Sequence, residues 1–228
     1  MAPPFVLVFA AETTVTGADE VNRQVALRFA PHHPIAFLCP PNHNLSAAIS
    51  AARGVDGEAV LFETDLASVE SIKASVASAS AQFGKQAAAA IFQVREEPQV
   101  PFLEQKVADF NAATSSQIAS AYAFSQAAMP LLTYGGGSAE FPATLVYVGV
   151  AGASRSDKVV ENALVALSRS LGREYGKKYI HVAHLKFSKG SEVESAVRAG
   201  EERHVRVAET LWYLYTQPLS CFANELTI

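Results

Sequence analysis

The chain has 228 residues and a formal net charge of -4, a length that suits one α/β domain with a substantial buried core. Half of its residues are apolar and 18% are charged, which excludes a largely disordered chain. No Lys/Arg-rich block interrupts it, so neither a nucleic-acid nor an anionic-membrane surface is indicated.

The first apolar run, Phe5–Ala10, predicts a buried strand. No basic residues precede it, so a signal-peptide core is the weaker reading. A helix is expected at Asp19–Ala30, with Thr16 as its N-cap and Asp19 completing a capping box. A strand Ile35–Leu38, a helix Leu45–Arg53 and a strand Ala59–Phe62 follow. Asp65 suits the N-terminus of a helix Ala67–Phe83, which leads to a strand Ala88–Gln93. A long helix Pro101–Leu132 ends before Gly135-Gly136-Gly137, which reads as a flexible surface loop. The remaining elements are a strand Thr144–Gly149, a helix Asp157–Tyr175, a strand Ile180–Leu185, a helix His204–Thr216 and a short strand near Phe222–Leu226.

Strands alternating with helices from end to end predict a parallel sheet covered on both faces. No repeat or linker divides the chain, so residues 1–228 read as a single domain. Right-handed crossovers then make a doubly wound sheet with a ligand crevice at the strands' C-terminal ends. No apolar stretch reaches the roughly 18–20 residues that span a bilayer. Cys39 and Cys221 are too few for a disulfide framework and suit a reducing, cytoplasmic setting.

The histidines suggest no metal site. Alternation sends His181 and His184 to opposite faces of their strand, and no other pair has zinc spacing. No serine lies in a GxSxG turn. Trp212, Tyr213 and Tyr215 read as packing residues of the last helix.

From Thr144 onward the sequence carries a resemblance. TLVYVGVAGASR, followed by ENALVALSRSLGREYGKKYIHVAHL, resembles the fifth strand, sixth helix and sixth strand of short-chain dehydrogenase/reductases. AETLWYLYTQPLSCFANEL resembles the closing helix and strand of one branch of that family. SQAAMPLL is similar to the end of its long interface helix, and LFETDLASVESI to its third strand and turn. The resemblance implies a Rossmann-like sheet of order 3-2-1-4-5-6-7. It also implies four chemical features, each of which can be sought in these residues.

The first is a glycine-rich turn after the opening strand, where bare backbone N–H groups meet a pyrophosphate. Gly17 is the only glycine among the first 53 residues, and Glu20 and Asn22 align with glycine positions. The second is a tyrosine followed four residues later by lysine, which together move a proton. No tyrosine here has lysine at that spacing, and the aligned positions hold Asp157 and Glu161. Val150 stands where the family has a serine, and Gln117 where its long helix has an asparagine. The asparagine–alanine–glycine turn after the fourth strand becomes Gln93-Val94-Arg95. The second strand ends Cys39-Pro40-Pro41, without the arginine that meets a 2'-phosphate, and Phe187-Ser188 replace a proline–glycine turn.

These substitutions lead to an expectation of no NAD(P) cofactor, no metal and no ordinary reductase chemistry. The site residues expected to act are Asp157, Glu161 and Gln117, with Arg95, Tyr147, Val150, Arg155 and Lys186 lining a substrate. Asp157 and Glu161 share a helix face, as a carboxylate pair in the crevice or as ordinary acids of a helix start. Three functions stay open. The first is a cofactor-independent isomerase, lyase or cyclase; the second a noncatalytic partner or stabilising subunit; the third an atypical NAD(P)-dependent reductase. The first stands ahead because the scaffold is whole and polar residues still fall at the strand ends. By resemblance, helices 101–132 and 157–175 would pair two copies into a homodimer. The polar segment SKGSEVESAVRAGEER would make a small lid at most.

Overall fold

The computed structural model of the chain describes residues 3–10, 18–41, 43–95, 97–134, 141–149, 154–186 and 198–228. Seven strands form one sheet: β1 Phe5–Phe9, β2 Ile35–Cys39, β3 Ala59–Glu63, β4 Ala87–Gln93, β5 Thr144–Val148, β6 His181–Lys186 and β7 Glu225–Thr227. Every neighbouring pair is parallel, in the order β3-β2-β1-β4-β5-β6-β7. The expected order is the one observed.

Side-chain alternation explains how one sheet carries two cores. Phe5, Leu7 and Phe9 of β1 pack toward α3 (Val69–Phe83), α4 (Val107–Tyr134) and α5 (Arg155–Tyr175). Val6 and Val8 pack toward α1 (Ala18–Phe29), α2 (Ser46–Gly54) and α6 (Arg198–Tyr215). The chain reverses its direction of winding between β1 and β4, which opens a crevice at their C-terminal ends. Gly57 allows the β3 approach to lie against α1, because a Cβ there would come within 2.4 Å of the Ala30 carbonyl oxygen.

Several boundaries differ from expectation for identifiable reasons. α4 begins at Val107 rather than Pro101, because residues 101–105 close a turn in which Glu104 and Gln105 N–H donate to the Pro101 carbonyl. Ser68, not Asp65, caps α3 by accepting from Ser71 N–H, while Asp65 accepts from Ala67 N–H. α6 starts at Arg198, within the segment read as a lid, rather than at His204. The capping box at Thr16, the Gly135-Gly136-Gly137 loop and the rest of the lid segment lie outside the described residues. Among the described residues no helix is long and apolar enough to cross a membrane.

Two histidines tie the sheet's lower rim and far edge to α6. His33 bonds through Nδ1 to the Pro4 carbonyl at 2.8 Å and through Nε2 to the Tyr215 hydroxyl at 2.9 Å. A neutral ring satisfies both: Nδ1–H donates, and Nε2 accepts from the phenol. His181 is fully buried, its ring between the Leu214 and Ala223 carbonyls at 2.9 and 3.0 Å and stacked on Phe222. Trp212 and Tyr215 pack on Phe29, as expected of a packing helix, whereas Tyr213 points outward.

Burial holds the imidazoles of His33 and His181 below the usual 6.5, and that of His184 is pushed down to about 4. The unfolded chain therefore takes up these protons at higher pH than the native one. The stability they contribute is complete above about pH 6.5 and is lost as pH falls toward 4. Glu161, whose carboxyl is raised by burial, works in the opposite sense but is one group against three. Urea unfolding should show its midpoint falling between about pH 7.5 and pH 5 at constant m. A flat midpoint over that range would contradict the neutral burial of these rings.

Candidate active site at the strand ends

Three groups of polar side chains gather where the strands end. At the end of β1, Gln93 Nε2 donates to Asn22 Oδ1 at 2.8 Å, joining the tip of β4 to the second turn of α1. Both side chains are buried, and Asn22 Nδ2 has no partner. Glu20 turns along its own helix, bonded to Arg23 and Gln24, and the Arg23 guanidinium holds its carboxyl below the usual range. Glu20, which aligns with a glycine position of the family, thus has its carboxylate engaged along its own helix. Asp19 meets His43 Nε2 at 3.1 Å.

The second group grips the segment that leaves β4. Gln117 Oε1, on α4, accepts from Arg95 N–H at 2.9 Å. Asp157 Oδ1, in the first turn of α5, accepts from Glu97 N–H at 3.1 Å. Arg155 donates to the Val100 carbonyl at 3.1 Å and lies over the Phe102 ring. The Arg95 side chain is exposed and paired with Glu97. So Gln117, Asp157 and Arg155, read from sequence as crevice groups, all hold one stretch of chain, residues 95–102. Asp157 is only 2% exposed, and its own N–H is capped by Ser154 Oγ at 3.0 Å.

The third group lies where β5 and β6 end. Glu161, one turn beyond Asp157 on α5, is half-buried and 3.8 Å from Lys186 Nζ at the tip of β6. A Cβ on Gly149 would fall 3.1 Å from His184 Cε1, 3.4 Å from His184 Nε2 and 3.5 Å from Glu161 Oε1. The imidazole and the carboxylate thus both border one point, where a Cβ at 149 would crowd the His184 ring and touch Glu161 at ordinary contact distance. Burial raises the Glu161 carboxyl above its usual value, Lys186 opposes that rise, and the Asp157 charge adds to it.

Not every expected residue belongs here. Tyr147 is fully buried in the core, its hydroxyl bonded to Ser125, with burial driving the phenol far above its usual pKa. It sits on β5 facing α4 rather than at the strand end, which corrects its reading as a substrate residue. Val150 lies outside the described residues. Sequence spacing gave His184 no metal partner and left it, with Gly149, outside the expected site residues. Their only signal was strand alternation, which sets His184 and Lys186 on the same face.

Beside the gripped segment a cleft of about 430 Å³ opens between the ends of β1, β2 and β4, α3 and α4. Phe9 and Phe92 line it with rings stacked at 4.4 Å, together with Pro40, Pro41 and Leu66. Gln117 lines it as well, and its Nε2 is buried without a partner. Among the described residues no group of three or more His, Cys, Asp or Glu side chains could hold a metal ion.

Comparison with known proteins places this geometry. Residues 23–186 match the family model described as enoyl-(acyl carrier protein) reductase. No curated protein matches the sequence. A short-chain dehydrogenase from Rhodopseudomonas palustris is similar with a TM-score of 0.75 at 22% identity, over 99% of this chain and 97% of that one. A dehydrogenase/reductase from Sinorhizobium meliloti 1021 reaches a TM-score of 0.78 at 17% identity, over 99% of this chain and 94% of that one. An NADH-dependent reductase complexed with NAD reaches 0.77 at 11% identity, over 100% of this chain and 95% of that one. At such identities the solved structures establish the fold alone.

If Asp157 serves mainly as an acceptor for Glu97 N–H, Asp157→Asn should keep that bond and change stability by about 1 kcal/mol or less. Asp157→Ala strands the N–H and should cost about 1–3 kcal/mol in urea unfolding. Equal losses for the two variants would refute the acceptor role.

Proposed function

The chain belongs to the short-chain dehydrogenase/reductase family, and we propose that it has given up hydride transfer. In this reading it is a cofactor-independent enzyme that moves protons on a small molecule, by isomerisation, elimination or cyclisation, in the crevice at the strand ends. The observation that carries this reading is Glu161: a half-buried carboxyl with a raised pKa, 3.8 Å from an ammonium, at the ends of β5 and β6.

A dinucleotide does not suit the described residues. A pyrophosphate needs open backbone N–H groups at a helix N-terminus. Here Asn22 and Gln93 occupy the end of β1 with their side chains, and Asp19 and Glu20 already place two carboxylates in the first turn of α1. Among the described residues at the end of β1, the unpartnered donor Asn22 Nδ2 is neutral and offers a phosphate no charge compensation. The matched family segment begins at Arg23, after Asp19, Glu20 and Asn22.

The remaining side chains suit acid–base work. A carboxyl that burial raises above its usual value holds a proton more readily than a free one, which suits a group that takes and returns protons. The Lys186 ammonium, beside it and partly exposed, would stabilise an oxyanion that develops as a carbon-bound proton leaves. Asp157 contributes at a distance: its charge disfavours the ionised form of Glu161 while its oxygen holds the 95–97 backbone. Gln117 Nε2 is a fixed donor, since Oε1 is committed to Arg95 N–H. It suits a carbonyl or water at the cleft wall, next to Arg95.

A second reading, a noncatalytic partner or stabilising subunit, draws support from Gln117, Asp157 and Arg155, because their polar atoms bind backbone of this chain. In both readings the α4–α5 face joins two copies. A groove of about 560 Å³ runs there, with Tyr122 and Tyr134 exposed beside Leu167 and Leu171. Light scattering should give twice the 24.3 kDa of the chain, and that mass at every concentration tested would refute the pairing.

The reading itself is tested in two steps. Calorimetric titration with NADH and NADPH should give no heat of binding, and a low-micromolar dissociation constant would return the chain to the reductases. Native mass spectrometry of the purified protein then supplies a copurifying molecule for turnover assays. Glu161→Gln, which keeps size and removes the titrating group, should slow turnover by roughly 10²–10⁴-fold. Undiminished turnover would leave the noncatalytic reading.

A further inference from the structure

His184 is fully buried, yet among the described residues neither of its ring nitrogens has a hydrogen-bond partner. Both facts need a reason, because an unsatisfied buried polar atom costs about 1–3 kcal/mol. His33, by contrast, has both nitrogens engaged, and His181 has a carbonyl within hydrogen-bond distance of each nitrogen, to one of which a neutral ring donates. The tautomer of a buried histidine is ordinarily pinned by the bond that its other nitrogen makes. Nothing pins the tautomer of His184.

Its surroundings say what an unpinned ring could serve. Nε2 is the ring nitrogen nearest Gly149, at 3.4 Å from the point where Glu161 Oε1 lies at 3.5 Å. The missing side chain of Gly149 leaves room for the two groups to close on each other. We propose that His184 is the positioning partner of Glu161, a neutral imidazole that changes tautomer as the carboxyl changes protonation. When Glu161 is ionised, Nε2–H donates to the carboxylate; when Glu161 is protonated, Nε2 accepts from the acid and the proton sits on Nδ1. In each state the pair makes one hydrogen bond, no proton is gained or lost by the ring, and the carboxyl alone carries the charge change.

Electrostatics around the pair agrees with a ring that stays neutral. His184 faces Lys186 on its own strand and Glu225 on β7, and burial with the Lys186 charge pushes its pKa down to about 4. Glu225 is itself engaged by Arg169. Glu161 faces Lys186, with Asp157 and Lys158 on α5, and its carboxyl is displaced upward. Both displacements, downward for the imidazole and upward for the carboxyl, favour a ring that stays neutral while the carboxyl changes protonation. The proposal rests on Glu161 as the proton-moving group, but its test needs no substrate.

The experiment is nitrogen-15 NMR of the whole chain labelled in histidine, followed from about pH 4 to about pH 8. The two ring-nitrogen shifts of His184 should exchange identities in one step, at the same midpoint as the Glu161 carboxyl read by carbon-13. Imidazolium shifts should emerge only at the acid end. In Glu161→Gln the step should disappear. A single tautomer throughout the range in the natural chain would overturn the proposal, as would a step that survives Glu161→Gln. If that variant does not fold, different midpoints for ring and carboxyl in the natural chain would overturn it equally. A step present with turnover untouched by Glu161→Gln would sink the catalytic reading and leave the pairing standing.

Discussion

A parallel sheet with helices on both faces leaves its central strands no route to water. β1, β2, β4 and β5 are buried along their whole length, so almost every side chain they carry must be apolar. Polar groups are thereby confined to the strand ends and the helix turns beside them. The winding reversal between β1 and β4 then decides which end stays open. That constraint gathers Asn22, Gln93, Gln117, Asp157, Glu161 and Lys186 within one rim, although they are scattered over more than 160 positions of the sequence.

The same constraint explains what the sequence disclosed. Runs such as Val6–Phe9 and Leu145–Val148 are too short for helices and too apolar for loops, so element order and sheet order were legible. Boundaries failed where polar composition hid a helix, as in the Arg198 turn of α6, or where Pro101 looked like a helix start but closed a turn. At the strand ends, spacing could nominate polar residues but not the bonds they make. Spacing puts Asp157 and Glu161 on one helix face, but it cannot say that Glu97 N–H waits for one and Lys186 for the other. His184 was illegible for a stronger reason: its distinguishing property is a pair of absent hydrogen bonds, and no local pattern records that.

Gripping one segment from two helices has a geometric consequence. Residue 95 is fastened to α4 and residue 97 to α5, two residues apart, so the segment reports the relative position of those helices. Arg155 adds a third fastening further along, at Val100 and Phe102. The cleft beside Phe9 and Phe92 has this fastened segment as one wall. Its shape therefore depends on helix packing rather than on a free loop, which suits a preorganised site. It equally suits a surface that must hold its form for a partner.

The stability of the scaffold weighs between those two uses. A chain kept only for its shape gains nothing from a half-buried carboxyl or an unpartnered buried imidazole, since apolar residues of similar size would pack there at lower cost. Where the task is structural, in β1 and β4, this chain uses such residues throughout. Around Gly149 it departs from that habit three times within two strand ends, with Glu161, His184 and Lys186. Departures from local consistency that cluster at the open end of a doubly wound sheet are expected of working sites. The Glu161–Lys186 pair is neutral while Glu161 is ionised, and when Glu161 takes up a proton the ammonium left without its counter-charge is partly exposed and meets water. A ring that stays neutral through that change adds no buried charge, and it can serve both states of the carboxyl only if its tautomer is free.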